Sequence, residues 1–187
     1  MKEKDSFTTL LIVLISGLFI VQKYFYSTLL VDFALVGSAY PEHHQFYRWL
    51  SVALVHASWT HLLFNMLALY QLGNIVEQAM GKWRFAAILV GSLIAGSALS
   101  FYLMPALGAS VGASGMIFGL FGSMLVFGKR AGIDYKNLIG TLVLNAALPI
   151  LFHNIDWHAH VGGFIGGAIV TFLLISFNRP QQRLRNI

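Results

Sequence analysis

Ser114 is a lone hydroxyl in the stretch VGASGMIFGLFG, residues 111 to 122, among glycines and bulky apolar side chains. A serine becomes a nucleophile only when a neighbouring base can take its proton, and histidine is the side chain that most often does so. His160, in AHVGG at residues 159 to 163, is such a base in a second stretch without charge. A third stretch, HASWTHLLFN at residues 56 to 65, holds His56, His61 and Asn65. His61 and Asn65 are four residues apart, so they share one face of a helix. Chemistry would require these three stretches, far apart in sequence, to meet.

The elements that would carry them are membrane helices. Of the 187 residues, 57% are hydrophobic and only 10% charged, with a mean hydropathy of +0.72; soluble domains carry about 25% charged residues. Charge-free windows run over 6 to 22, 49 to 76, 85 to 128, 137 to 155 and 157 to 178, and a bilayer crossing takes roughly 20 such residues. The window 85 to 128 is too long for one crossing and is broken by Pro105 and Gly108, so it reads as two helices and a turn. The expectation is one all-α membrane domain over 1 to 187, a bundle of six transmembrane helices near 6–26, 57–78, 83–103, 113–128, 137–152 and 157–177. Lys2 and Lys4 precede the first segment as in a signal peptide, but no small-residue cleavage site follows before Gln22, Lys23 and Tyr24, so it reads as a retained helix.

With both termini cytoplasmic, the inner segments collect all 12 lysines and arginines except Lys23 and Arg48, which orients the chain by the positive-inside rule. Because the net charge of +5 resides at helix ends, no basic patch is left for nucleic acid. Residues 27 to 55 form the one long outer connection, rich in aromatics and predicted to lie at the interface. The second, fourth and sixth spans then all enter from outside, which places His61, Asn65, Ser114 and His160 at one shallow depth. All seven histidines, at 43, 44, 56, 61, 153, 158 and 160, fall on that outer side. The site therefore opens extracytoplasmically.

Two glycine patterns indicate which spans touch. Gly115 and Gly119 make a G-x-x-x-G in the fourth span, Gly163 and Gly167 another in the sixth, and such seams allow close backbone approach. Ser114 precedes the first seam by one residue, and His160 lies three before Gly163 on the same face. Packing the seams together would join Ser114 Oγ to the His160 imidazole. Each residue also has a purely structural reading: membrane serines bond back to the i−4 carbonyl, and Asn65 can be interhelical glue. The common depth of all four favours function. A soluble hydrolase is excluded on spacing, since its nucleophile elbow is G-x-S-x-G and Met116 occupies the last position. A metal or haem site built from His56, His61, His153, His158 and His160 is the rival enzyme reading, but there is no H-E-x-x-H and no cysteine, and Asp156 and Glu42 are the only outer acids near it. A channel, a transporter or a non-catalytic client-binding protein is the non-enzyme alternative.

GASG opening the fourth span, AHVGG with its G-x-x-x-G in the sixth, and HASWTHLLFN entering the second together resemble the rhomboid family of intramembrane serine proteases, across all six spans. The resemblance implies that Ser114 is the nucleophile and His160 its general base, a dyad with no acidic member, metal or cofactor. It implies an oxyanion site lined by His61, Asn65 and the Ser114 backbone amide, with His56 completing H-x-x-x-x-H-x-x-x-N and Gly112 and Gly115 completing G-x-S-G. An unpaired N–H at a helix start suits that role. Phe118 matches the aromatic that family members place against the catalytic histidine, where many use tyrosine. Gly163 and Gly167 support the seam, Arg48 with Trp49 resembles a scaffolding signature of the first outer loop, and Glu77, near Gly73 and Gly81, matches a structural acidic residue. The implied partners are the lipid bilayer and transmembrane protein substrates with helix-destabilising residues and a small side chain at the cleaved bond. The implied location is a bacterial inner or plasma membrane.

Overall fold

In the computed structural model, residues 6–38, 40, 44–129, 131–151 and 156–177 are described, with the backbone alone over 144–151. Glu42, His43, Arg130 and His153, singled out in the sequence, lie outside the described residues.

Local chemistry starts each helix. Helix α1 (Phe7–Tyr24) is capped by the Ser6 hydroxyl, which accepts the Thr9 N–H, and carries Lys23 in its last turn, where the dipole favours a cation. Helix α2 (Leu29–Phe33), strand β1 (Leu35–Val36), helix α3 (Arg48–Ser51) and a 3₁₀ turn (Val52–Leu54) lie in the connection that follows α1. Helix α4 (Trp59–Ala68) starts at Ser58, whose hydroxyl accepts the His61 N–H. It runs through a π-helical turn (Leu69–Gly73) into α5 (Asn74–Met80). Gly81, at φ +80°, turns the chain into α6 (Lys82–Leu103). Strand β2 (Ala109–Ser110) precedes α7 (Ser114–Phe127), and α8 (Tyr135–Leu151) and α9 (Trp157–Phe177) follow.

Among the described residues, α1, α6 and α9 are long and apolar enough to cross a membrane. Trp59–Met80, bent by 98° from Arg48–Leu54, makes a fourth candidate if the bent pair is one span. Helix α7 has only 14 residues against the roughly 20 of a full crossing. Its sequence is apolar all round because most of it is buried: Met116, Ile117, Phe118, Leu120, Phe121, Met124 and Phe127 belong to the core, and only Leu125 and Val126 near its end are exposed.

Helix α7 is central because glycine lets its neighbours close on it. A Cβ on Gly163 of α9 would fall on the Gly115 carbonyl of α7, and one on Gly167 would fall on the Gly119 carbonyl. The expected seams therefore meet, partner for partner. Gly115 differs, since its own Cβ would meet the Ala159 carbonyl at an ordinary 3.4 Å, whereas one on Gly122 of α7 would fall on the Phe164 carbonyl of α9. A second seam was not anticipated: Gly162 and Gly166 turn to α6, where added Cβ atoms would meet the Ala95 carbonyl at 2.5 Å and the Ala95 side chain at 2.5 Å. A buried hydroxyl pair joins α9 to α7, Thr171 donating to Ser123 at 2.7 Å, while Ser92 bonds back to the Ile88 carbonyl of its own helix at 2.6 Å.

The connection between α1 and α4 is ordered by long-range polar contacts that hydropathy does not display. Strand β1 pairs antiparallel with β2, Leu35 opposite Ser110 and Val36 opposite Ala109, so this connection is tied to the segment leading into α7. The buried Arg48 guanidinium donates to the carbonyls of Val31 (2.6 Å) and Ala34 (2.8 Å) and to Gln45 Oε1 (2.8 Å), and Ser97 of α6 donates to the Trp49 carbonyl. Arg48 and Trp49 thus serve as scaffold.

Candidate active site

Ser114 is the first residue of α7, and the chain enters that helix through Gly112 at φ +114°. Only glycine suits this position twice over: the dihedral is left-handed, and a Cβ would lie 2.6 Å from the His61 ring. Close approach at Gly112 is what lets the His61 imidazole lie against the backbone beside the serine. On the other side the α9 seam delivers His160, whose Nε2 lies 2.8 Å from Ser114 Oγ. Ser114 is half-buried and His160 is 7% exposed. The His160 ring stacks on Phe118, centroids 4.1 Å apart and planes 7° from parallel. Phe118 is one helical turn after Ser114, so one face of α7 presents both the hydroxyl and the ring that holds the histidine.

Helix α4 forms the opposite wall. Its His61 ring packs edgewise on that of His56, centroids 5.1 Å apart. Asn65 is buried, and its Nδ2 donates to the His61 carbonyl at 2.9 Å, a bond within α4 and not the interhelical one of the glue reading; the amide has a second N–H. His56 is fully buried in the connection before α4, and its Nε2 accepts the Ala113 N–H at a long 3.5 Å. With Ala113 occupied in this way, the next amide, that of Ser114, heads the unpaired donors of the α7 terminus.

Ser114, the His160 imidazole and the α4 wall are thus brought together, whereas His158 turns to other partners. His158 Nδ1 lies 3.3 Å from Asp156 Oδ1, and its ring packs on Trp157 at 3.9 Å. No group of three or more His, Cys, Asp or Glu among the described residues is placed to hold a metal ion. Asp156 has a different task, which its position before an apolar run could have signalled. Its Oδ1 accepts the N–H groups of His158 (3.1 Å) and Ala159 (3.3 Å), capping α9, while its Oδ2 accepts a hydrogen bond from Ser100 of α6. The turn that carries His160 is thereby pinned to α6.

Comparison with known proteins agrees with this architecture. A family model described as Rhomboid domain matches residues 43–177. YdcA of Bacillus subtilis is 35% identical over 136 residues, which are 70% of this chain and 68% of that protein. "Rhomboid protease GluP" of the same organism is 34% identical over 143 residues, 74% of this chain but 28% of that protein. "Rhomboid protease GlpG" of Pectobacterium atrosepticum is 33% identical over 147 residues, 74% of this chain and 52% of that protein. The matched segment contains Ser114, His160, His61 and Asn65 together with most of the apolar helices. The protein is an integral membrane protein, and it belongs to the rhomboid family.

Proposed function

We propose that this chain is a serine endopeptidase that cuts transmembrane segments of other membrane proteins near the outer face of a cell membrane, bacterial inner or plasma membrane. Six helices cross the bilayer as one domain, with both termini cytoplasmic and the site open to the extracytoplasmic side. The observation that carries the reading is the 2.8 Å contact of His160 Nε2 with Ser114 Oγ, a hydrogen-bond distance between a nucleophile and a base.

Ser114 Oγ attacks the scissile carbonyl carbon as its proton passes to His160 Nε2. The carbonyl oxygen gains the negative charge, stabilised by the Ser114 amide and by donors of His61 and Asn65. Collapse expels the amine, which takes the proton back from His160 and leaves an ester on Ser114. Water, deprotonated by the same imidazole, then attacks the ester, and His160 returns the proton to Ser114 Oγ as the carboxylic acid product leaves. Each aligned donor contributes on the order of 3 kcal/mol in such a setting. The stack on Phe118 keeps the imidazole oriented through each proton transfer.

Labelling of detergent-solubilised protein with a fluorophosphonate tests the assignment directly. Wild type should be labelled, and Ser114→Ala should not; Ser114→Ala and His160→Ala should each lose cleavage of a model transmembrane substrate while still melting cooperatively. Substantial cleavage by either folded variant rejects the dyad. A wild-type protein that neither labels nor cleaves, yet binds the substrate, would instead be a non-catalytic client-binding member of the family.

A further inference from the structure

We propose that Gln22, on the first helix and outside the ring of residues around Ser114, is a positioning residue for the oxyanion side of the site. The inference rests on the dyad reading given above.

Gln22 lies near the end of α1, with its polar side chain only 6% exposed in an apolar helix. A buried amide is costly unless its hydrogen bonds are made. Both are made to one residue: Nε2 donates to the His56 carbonyl at 2.8 Å, and Oε1 accepts the His56 N–H at 3.1 Å. Two opposed bonds to one residue are what a neighbouring strand would supply, and they fix its rotation as well as its place. Residue 56 needs them, because it lies between the 3₁₀ turn and α4, outside both helical ladders.

What Gln22 fixes is then passed on by the His56 ring. Its Nε2 accepts the Ala113 N–H, one residue before Ser114, and its edge meets His61, which in turn lies against Gly112. With Nε2 accepting, a neutral ring carries its proton on Nδ1, and Nδ1 is buried without a hydrogen-bond partner. No second hydrogen bond therefore orients the imidazole. Its aim depends on ring packing, including Phe19 at 6.4 Å, and on the backbone that Gln22 holds. The route from α1 to the start of α7 is continuous: Gln22, His56, then Ala113 and His61.

The competing explanation is that Gln22 merely fastens α1 to the 55–58 connection. Kinetics separate the two. Gln22→Met keeps the length of the side chain and removes both hydrogen bonds. Gln22→Asn keeps the amide but withdraws it by one methylene, so that it cannot reach both His56 groups. In the full-length protein, positioning predicts that kcat on a model transmembrane substrate and the fluorophosphonate labelling rate both fall roughly tenfold per folded molecule in Gln22→Met, since misplacement of about 1 Å can cost a hundredfold. KM should stay within about twofold, because only the transition state is affected. A smaller fall is expected for Gln22→Asn, which decides the matter if the methionine variant does not fold. Earlier melting with unchanged kcat and labelling rate per folded molecule would overturn the inference and leave the dyad standing. Wild type that does not label, or Ser114→Ala that still cleaves, would overturn both.

Discussion

The His160 ring lies flat against Phe118 and points its Nε2 at Ser114, so two contacts from one face of α7 determine where the base sits. A phenyl ring supplies this support by shape alone, with no hydroxyl to compete for the imidazole. Asn65 is the residue whose role is most open to test. Its Nδ2 bond to the His61 carbonyl can hold the first turns of α4 together, while its second N–H is the donor required by an oxyanion. If Asn65 serves the transition state, Asn65→Ala should lower kcat between tenfold and about a thousandfold with KM little changed. If it serves only α4, the variant should melt earlier and its folded fraction should cleave at a near-normal rate. Measuring kcat per folded molecule beside the melting temperature distinguishes the two, and an unchanged kcat would remove Asn65 from the oxyanion site.

At the scale of elements, the contact between α7 and α9 sets the distance between Ser114 and His160. The Gly115–Gly163 pair is asymmetric, and this sharpens what substitution should do. Gly163→Val places its side chain against the Gly115 backbone, which cannot yield without moving a helix, so the variant should lose most cleavage and some thermal stability. Gly115→Ala meets only ordinary contacts and should melt close to wild type. Equal melting temperatures for wild type and Gly163→Val would place the tight contact elsewhere. The small-residue spacing Gly115–Gly119 and Gly163–Gly167 was legible in the sequence because a seam needs glycine at a fixed period. The same rule applied to Gly162 and Gly166 would have disclosed the α6 contact and so the sandwiching of α9. The connection between α1 and α4 was not legible. Its shape depends on Arg48 collecting carbonyls from residues 31 and 34 and on β1 finding β2 more than 70 positions away, and neither leaves a periodic trace.

At the scale of the whole molecule, α1 must be held to the bundle at both ends, since Gln22 can position His56 only if α1 itself stays in place. Gln22 fastens its C-terminal end and Glu77 of α5 its N-terminal end. The buried Glu77 carboxylate accepts the N–H groups of Phe7 and Thr8 at 2.8 Å each, the Thr8 hydroxyl at 2.7 Å and the Ser6 hydroxyl at 3.0 Å. A charge thus caps the N-terminus of another helix, where unpaired donors and the dipole both favour an anion. Gly73 permits the approach, since a Cβ there would lie 2.8 Å from the Thr8 methyl. Acidic character at residue 77 was readable in the sequence as structural, but its partners, some 70 residues away, were not. Glu77→Ala would leave these donors without their acceptor, and a buried unsatisfied group costs roughly 1–3 kcal/mol. The variant should therefore melt earlier than wild type, whereas Glu77→Gln, which keeps an accepting oxygen but loses the charge, should fall between the two. Because the clamp is remote from Ser114, fluorophosphonate labelling per folded molecule should stay near wild type in both variants as long as α1 remains docked. Glu77→Ala with an unchanged melting temperature would show that α1 is held without the clamp, and the burden of seating Gln22 would then fall on the apolar contacts of Ile15 and Phe19.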